Sequence, residues 1–281
     1  MLADLCALAI WTGPQGPMLG CRSAPPFDAP EKKPDGTVLQ AADFSEVCFL
    51  DHVYRGSFSG AGKEQAILGL EACGPERSND ITPGNVVLAE RGTDGWRVIA
   101  FERDTNVRTC SLSKRNDRTL LVCADNVGAF GDGSLHWRFT LDFAAPEQQR
   151  VKVFSKLYAS APTNCMLGTA MLADRGVTTF EISNERFADT DADGREDLTF
   201  GVERAHTAPS AALRARADAQ CKGREQELVD LAKLAGPQRR HTLQFHGEPT
   251  ALVPTAATKK LLDAWGRESP DLWWNAVKAA P

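Results

Sequence analysis

The sequence lacks long apolar stretches and an excess of positive charge. No run of about 18 apolar residues occurs, the length that a membrane-spanning helix needs. The formal net charge is −5, and no basic patch of the kind that binds nucleic acid is present. We therefore expect a chain with no transmembrane helix and no nucleic-acid partner.

The familiar catalytic motifs are also missing. Residues 56–60 resemble a nucleophile elbow, but Phe58 stands where the serine should be. Residues 60–63 resemble a phosphate loop, yet Ser57 replaces its first glycine and Glu64 follows Lys63. None of the five histidines has metal-ligand spacing, and no Cys-x-x-Cys pair occurs. The sequence thus favours a non-enzymatic protein and leaves the question of an enzyme open.

Eight cysteines are present, and their placement indicates disulfide bridges. Cys110 and Cys123 flank a hairpin-like segment whose polar turn covers residues 114–118, which would bring the sulfurs together. The other favoured pairs are Cys48–Cys73 and Cys165–Cys221. An oxidising, extracytoplasmic compartment follows from this interpretation. The competing one is a cytosolic protein with eight reduced, buried thiols.

Residues 1–40 are predicted to be a leader and a proline-rich linker. The apolar stretch 5–11 makes a poor export signal, because the acidic Asp4 precedes it and no lysine or arginine does. Residues 18–21 resemble a bacterial lipobox, which predicts a lipid anchor at Cys21. The alternative is a bridge between Cys6 and Cys21.

Residues 41–205 are predicted to form a β body, and residues 206–281 a helical region with one hairpin. Short β-prone segments between turn signals are typical of an all-β fold. The predicted strands are 46–54, 65–73, 85–89, 96–102, 109–113, 119–124, 135–143, 151–158, 177–182 and 197–202. In the C-terminal region we predict helices over 210–234, 256–265 and 270–280, and a hairpin over 241–245 and 250–253. Trp265, Trp273 and Trp274 are predicted to pack on the β body rather than to form a ligand box.

The most specific pattern is an acidic loop over residues 189–197. Carboxylates stand at loop positions 1, 3, 5 and 9, and a glycine that permits a sharp turn stands at position 6: Asp189, Asp191, Asp193, Asp197 and Gly194. Calcium takes about six to eight oxygen ligands. We predict that the four aspartates and the backbone carbonyl of Arg195 bind a structural calcium ion. The other interpretation is a solvated acidic turn.

The loop is not an EF-hand, and it has a partner upstream. Position 12 holds Phe200 instead of the bidentate glutamate of an EF-hand, and a β-prone segment follows. Residues 57–68 align with 189–200 without gaps. They share the glycine at position 6, here Gly62, but have no aspartates. We predict that this copy keeps the turn and binds no divalent ion.

The acidic loop matches the D-x-D-x-D-G-x-x-D-L pattern of the FG-GAP/VCBS repeat family, and the chain resembles that family over residues 189–198 and more loosely over 56–62. The resemblance implies integrin-like β-propeller blades, calcium that stiffens blade loops, and protein or glycan partners outside the cell. We therefore predict a mainly β fold, with a small or degenerate β-propeller-like repeat body and C-terminal helices.

The function that follows is an exported, non-enzymatic, calcium-stabilised protein that presents a binding surface to a protein or glycan. It would be secreted, periplasmic or lipid-anchored at the cell envelope. The alternatives are an exported hydrolase, with a cleft between the β body and the C-terminal helices, and a structural subunit of an envelope assembly.

Overall fold

A computed structural model describes residues 7–13, 16–22, 47–71, 85–102, 105–128, 133–160, 165, 170, 172, 174–224 and 226–268. Among these residues the fold is mainly β, with few helices. The strands form three antiparallel sheets, and none of these sheets closes on itself. The predicted fold class is thus confirmed at the level of mainly β with few helices, whereas a propeller is not shown.

The first sheet is a meander in which each strand pairs with the next one along the chain. Its strands are β1 (Ala7–Gly13), β2 (Gly16–Arg22), β3 (Val47–Gly56), β4 (Gln65–Glu71), β5 (Asn85–Gly92) and β6 (Gly95–Glu102). The segment predicted to be leader and linker therefore supplies the first two strands. The backbone of Cys21 lies in β2, opposite Cys48 in β3.

The second and third sheets have four strands each. The second has the order β10-β9-β8-β7 and the third the order β11-β12-β13-β14. Their strands are β7 (Thr109–Lys114), β8 (Thr119–Gly128), β9 (Gly133–Leu141), β10 (Val151–Ser160), β11 (Val177–Ala188), β12 (Asp197–Thr207), β13 (Arg239–Gly247) and β14 (Leu252–Pro254). All ten predicted strands are found, as β3 to β12, and the predicted hairpin is found as β13 and β14.

The predicted helix over 210–234 is wrong as a single element, because the structure divides it in two. Helix α1 (Ala211–Cys221) begins at Ser210, whose hydroxyl accepts a hydrogen bond from the backbone N–H of Leu213. Gly223 follows its end with φ +73, and a left-handed residue ends a helix. The second helix, α2 (Leu231–Ala235), begins at Asp230, which caps it in the same way.

The last described helix, α3 (Ala256–Glu268), confirms and extends the helix predicted over 256–265. Trp265 is buried and contacts the ring of His241 and the guanidinium of Arg204, as predicted for a tryptophan that packs on a sheet. The helix predicted over 270–280, with Trp273 and Trp274, lies outside the described residues.

The chain divides into two compact units. The first contains Met1–Leu112, Asp117–Cys123 and Leu141–Arg150, and the second contains Ser113–Asn116, Ala124–Thr140 and Val151–Pro281. In the first, apolar residues of β4 and β5 form a buried cluster: Ala66, Leu68, Leu70 and Val87. In the second, α1 and α2 contribute to a cluster with residues of β11 and β12: Val177, Ala205, Leu213, Ala217, Leu234 and Ala235.

Two of the three favoured disulfides are confirmed. Cys110 and Cys123 are bridged in the first unit, and Cys165 and Cys221 in the second. The pair Cys48–Cys73 and the alternative pair Cys6–Cys21 both lie outside the described residues, because Cys73 and Cys6 do. The bridges are compatible with an extracytoplasmic location, since disulfides persist in oxidising compartments.

Candidate metal centre

The acidic loop connects two paired strands of the second unit. Strand β11 ends at Ala188, which pairs with Asp197, the first residue of β12. Residues 189–196 therefore close a hairpin whose two ends are fixed by the sheet. Within it, Ala192 has φ 61 and Gly194 has φ 81. Two left-handed residues so close together turn the chain sharply, which lets alternate side chains converge.

Three of the predicted ligands do converge. Carboxylate oxygens of Asp189, Asp191 and Asp193 lie within 4.8 Å of one another. Oxygens bound to one calcium ion at about 2.3–2.6 Å can be at most about 4.6–5.2 Å apart, so the cluster has the right size. The loop backbone is wrapped around Asp189, whose carboxylate accepts hydrogen bonds from the N–H groups of Asp193 (3.1 Å) and Gly194 (2.8 Å).

Arg195 has a contact that the sequence pattern did not predict. Its Nε donates to a carboxylate oxygen of Asp193 at 2.8 Å, and a terminal nitrogen bonds to the same oxygen. The Arg195 side chain lowers the pKa of Asp193, and this pairing raises the pKa of Arg195. The guanidinium thus offsets one of the three clustered negative charges, and a cation that binds Asp193 through this oxygen must compete with it.

Asp197 lies outside the cluster of three. It is buried, and its carboxylate accepts hydrogen bonds from the backbone N–H of Gly247 (2.9 Å) and from the hydroxyl of Thr190. The Nδ1 of His246 lies 3.7 Å from the same carboxylate. Burial alone would raise the pKa of Asp197, but the hydrogen bonds and His246 outweigh it and the pKa is lowered. Asp197 therefore ties the loop to β13 as an ionised carboxylate.

Asp197 should make the protein acid-sensitive in a defined window. Its pKa in the folded state is below the unfolded value of about 3.9. The stability it contributes is full above that unfolded value and is lost as the pH falls through the folded pKa. We expect the wild-type melting temperature in metal-free buffer to fall below about pH 4, and Asp197→Asn to flatten this fall while lowering the melting temperature at pH 7.

The matched control is Asp218→Asn, which removes an exposed carboxylate on α1. It should leave the acid-induced fall unchanged. Equal pH profiles for the wild type and Asp197→Asn would show that this carboxylate does not contribute in that window.

Residues from the turn between β7 and β8 support the loop from outside. Lys114 and Glu196 exchange two bonds: the N–H of Lys114 donates to the Glu196 carboxylate (2.7 Å), and the N–H of Glu196 donates to the Lys114 carbonyl (3.1 Å). The buried Arg115 donates to the carbonyls of Glu196 (3.1 Å) and Glu248 (3.1 Å). These contacts fix the loop backbone where β12 begins. No local sequence signal identifies them, because the residues are far apart along the chain.

The upstream copy is a hairpin loop of the same length. Gly56, the last residue of β3, pairs with Gln65, the first residue of β4, just as Ala188 pairs with Asp197. Its position-6 glycine, Gly62, has φ 74, close to the value at Gly194. The copy therefore keeps the loop length and the left-handed glycine, whereas position 4 differs, with φ 153 at Gly60 and φ 61 at Ala192.

In both loops the buried side chain at position 9 accepts hydrogen bonds that hold the loop, but it is an amide in the copy and a carboxylate in the acidic loop. Gln65 is buried, and its Oε1 accepts hydrogen bonds from the N–H groups of Phe58 (2.7 Å) and Ser59 (2.9 Å). Its Nε2 donates to the carboxylate of Glu90 on the next strand (2.8 Å). An amide thus holds the copy together where Asp197 holds the acidic loop, and the copy has no cluster of aspartates.

Two histidines, His136 and His246, would favour a hydrolase if a serine or an acid lay beside them in a pocket. His246 lies near the Asp197 carboxylate. The Nε2 of His136 lies 2.9 Å from the hydroxyl of Ser134, and burial lowers the pKa of His136. Its ring packs edge-on against Phe180. Among the described residues no carboxylate contacts its other ring nitrogen, so a serine–histidine–acid triad is not formed at this position.

Comparisons with known proteins place the chain in no group. No family model, no curated protein and no solved structure matches it. Among the helices that the structure describes, none has the length and apolar character needed to cross a membrane.

Proposed function

We propose that the acidic loop binds a calcium ion with a structural role, in an exported β protein that presents a binding surface to a protein or glycan. The observation that carries this is the cluster of Asp189, Asp191 and Asp193 carboxylates within 4.8 Å, at the tip of a hairpin. All three offer oxygen ligands, which calcium and other hard cations prefer. Softer metals prefer nitrogen or sulfur ligands.

The loop's hydrogen bonds support a structural rather than a catalytic ion. Both oxygens of Asp189 accept loop N–H groups, and Asp197 is bonded to Thr190 and Gly247. The backbone is therefore already close to a closed turn, which a bound ion would stiffen. The predicted ligand set is the three clustered aspartates, with the carbonyl of Arg195 and the carboxylate of Asp197 as further oxygen donors.

Export is supported by the two disulfides. A repeat architecture related to propeller blades is supported by the equal length and pairing of the two hairpin loops. A lipid anchor at Cys21 would require cleavage before that residue, which would separate β1 and most of β2 from the sheet. The mass of the mature N-terminus, measured after expression in a bacterial envelope, distinguishes an anchored from an uncleaved chain.

Calcium should raise the melting temperature of the wild type, and a chelator should lower it to the metal-free value. With free calcium at about 100 times its Kd, binding to the folded state alone adds about 2.7 kcal/mol to the free energy of unfolding. Titration calorimetry gives the affinity, and differential scanning fluorimetry gives the stabilisation.

The variant that tests the site is Asp191→Asn, because the hydrogen bond that the Asp191 carboxylate accepts from the N–H of Asp193 is long, at 3.3 Å. We expect a loss of about tenfold or more in calcium affinity with little change in metal-free stability. Asp218→Asn removes the same charge from α1 and should bind calcium as the wild type does. Identical melting curves of the wild type with calcium and with chelator would contradict the proposal.

A further inference from the structure

A groove of about 640 Å³ lies in the second unit between β10 and α3. Its volume is within the range of about 300–1,000 Å³ that is usual for ligand sites. One wall is formed by residues 153–156 of β10, and the other by one side of α3, with Pro254 of β14 beside them. The acidic loop contributes no residue to it.

The β10 wall is the edge of a strand rather than its face. Four consecutive residues, 153–156, line the groove, whereas one face of a strand would contribute only alternate residues. Strand β10 is the last in its sheet, and the described part of the chain pairs no strand with its other side. Such an edge presents backbone N–H and C=O groups that can pair with another extended chain.

The α3 wall presents a regular helical face. Lys259, Leu262, Asp263 and Gly266 line the groove and follow the i, i+3, i+4, i+7 spacing of one side of a helix. A groove between an open strand edge and a helix can take up an extended peptide as an added strand. Main-chain hydrogen bonds then give the affinity, and side-chain contacts give the specificity.

The charge of the lining favours an acidic occupant. Lys156, Lys259 and Arg267 are cationic, and Asp263 is the one acid among the lining residues. Asp263 is already bonded to Lys259, at 2.7 Å. Burial lowers the pKa of Lys156, and Arg267 is exposed.

A buried hydroxyl in the lining also lacks a partner. Ser155 is 3% exposed, and its Oγ has no hydrogen-bond partner among the described residues. A buried polar group without a partner costs stability. A polar group of a bound chain would supply the missing hydrogen bond.

We propose that this groove binds an extended peptide segment of a partner protein, which adds a strand to the edge of β10 and places an acidic side chain near Arg267 and Lys156. The proposed function includes a surface that binds a partner, and this inference rests on that surface and names the kind of partner. It is independent of the calcium loop.

The probe is a set of short, fluorescently labelled valine- and threonine-rich peptides, each made with one internal glutamate and again with glutamine in its place. We expect the glutamate peptides to bind with a Kd below about 1 mM, and their glutamine partners about tenfold more weakly, because charge-assisted hydrogen bonds are the strong ones. Two further peptides carry N-methyl groups, one on the odd-numbered and one on the even-numbered backbone nitrogens. Only one of these two peptides should lose binding, since only one set of N–H groups faces the strand edge.

Arg267→Glu should weaken binding of the glutamate peptides by about tenfold or more. Arg214→Glu makes the same charge change on the exposed side of α1, outside the groove, and should leave binding unchanged. Both arginines are exposed, so both variants should melt close to the wild type.

Four results of the binding measurements would overturn the proposal: no peptide binds at about 1 mM, glutamine and glutamate peptides bind equally, N-methylation has no effect in either register, or the two arginine variants lose binding equally. A dimer that Arg267→Glu converts to a monomer would overturn it in favour of a second copy of the chain. Each titration is run with calcium and with chelator. If the peptides do not bind, calcium should still raise the melting temperature. If calcium has no effect, the peptides should still bind, so the two failures are distinguishable.

Discussion

Replacing Cys165 and Cys221 together by alanine should lower the free energy of unfolding by about 4 kcal/mol. The bridge joins residues 56 positions apart, and closing a loop of that length removes about 4 kcal/mol of chain entropy from the unfolded state in the loop-closure model. It ties Cys165 to the last residue of α1, and Cys165 belongs to the buried cluster that contains Leu213. We therefore expect the region around α1 to lose protection first, which hydrogen exchange would show.

The second bridge provides the comparison. Cys110 and Cys123 are 13 positions apart, so their replacement by alanine should cost about 3 kcal/mol in the same model. Denaturant unfolding of both double variants, with the wild type in oxidising and reducing buffer, gives the two values. A wild type whose midpoint does not change on reduction would show that the bridges do not contribute, and would remove the support that they give to export.

The strands could be predicted from the sequence because their signals are local. Alternating apolar residues between turns identified β3 to β12. Most boundaries agree closely with the prediction, but β8, β11 and β12 extend beyond their predicted ends at residues 124, 182 and 202. The hairpin of β1 and β2 was missed for a physical reason. Its pairing with β3, in which Cys21 lies opposite Cys48, is a contact between residues far apart in the chain. Its short apolar stretch also resembles the apolar part of an export signal, although the residues before it do not fit one.

The break in the predicted helix had a visible signal. Five apolar residues suit one continuous helix: Leu213, Ala217, Leu228, Leu231 and Leu234. Four of them are at least partly buried, but Leu228 is 65% exposed. Gly223 stands between Ala217 and Leu228, and a glycine there commonly adopts the left-handed conformation that ends a helix. The conformational preference of this glycine, and not the spacing of the apolar residues, therefore determines where the helix ends.

The candidate site could be predicted only in part. Spacing alone identified the three aspartates that converge, because alternate residues of a tight loop point the same way. The bonds of Asp197 to Gly247, and those of Arg115 to Glu196 and Glu248, come from strands that only the fold brings together. The pairing of Arg195 with Asp193 could not be predicted from the motif, which describes residue 195 by its backbone alone.

The two hairpin loops offer a controlled test of what position 6 requires. Gly194 and Gly62 have nearly the same φ, 81 and 74, both in the left-handed region. Their surroundings differ. A Cβ at Gly194 would lie 2.8 Å from Cγ of Asn116 and closer still to its Oδ1, whereas a Cβ at Gly62 would meet nothing within 4 Å. Alanine at either position has the same conformational cost, and only at Gly194 must a neighbour move.

Gly62→Ala should therefore lower the free energy of unfolding by about 1–2 kcal/mol, the cost of a left-handed residue with a Cβ. Gly194→Ala should lower it by about 1 kcal/mol more than that, because the exposed Asn116 side chain must leave its preferred rotamer to make room for the new Cβ. Denaturant unfolding in metal-free buffer measures both values.

The combination Gly194→Ala with Asn116→Ala separates the two contributions. Removing the Asn116 side chain should bring the cost of Gly194→Ala back towards that of Gly62→Ala, because only the backbone strain then remains. If Gly194→Ala costs no more than Gly62→Ala while Asn116 is present, the turn between β7 and β8 does not press on the acidic loop. Calcium affinity gives a second readout, since a loop whose turn is strained should hold its three carboxylates less well, and only Gly194→Ala should weaken it.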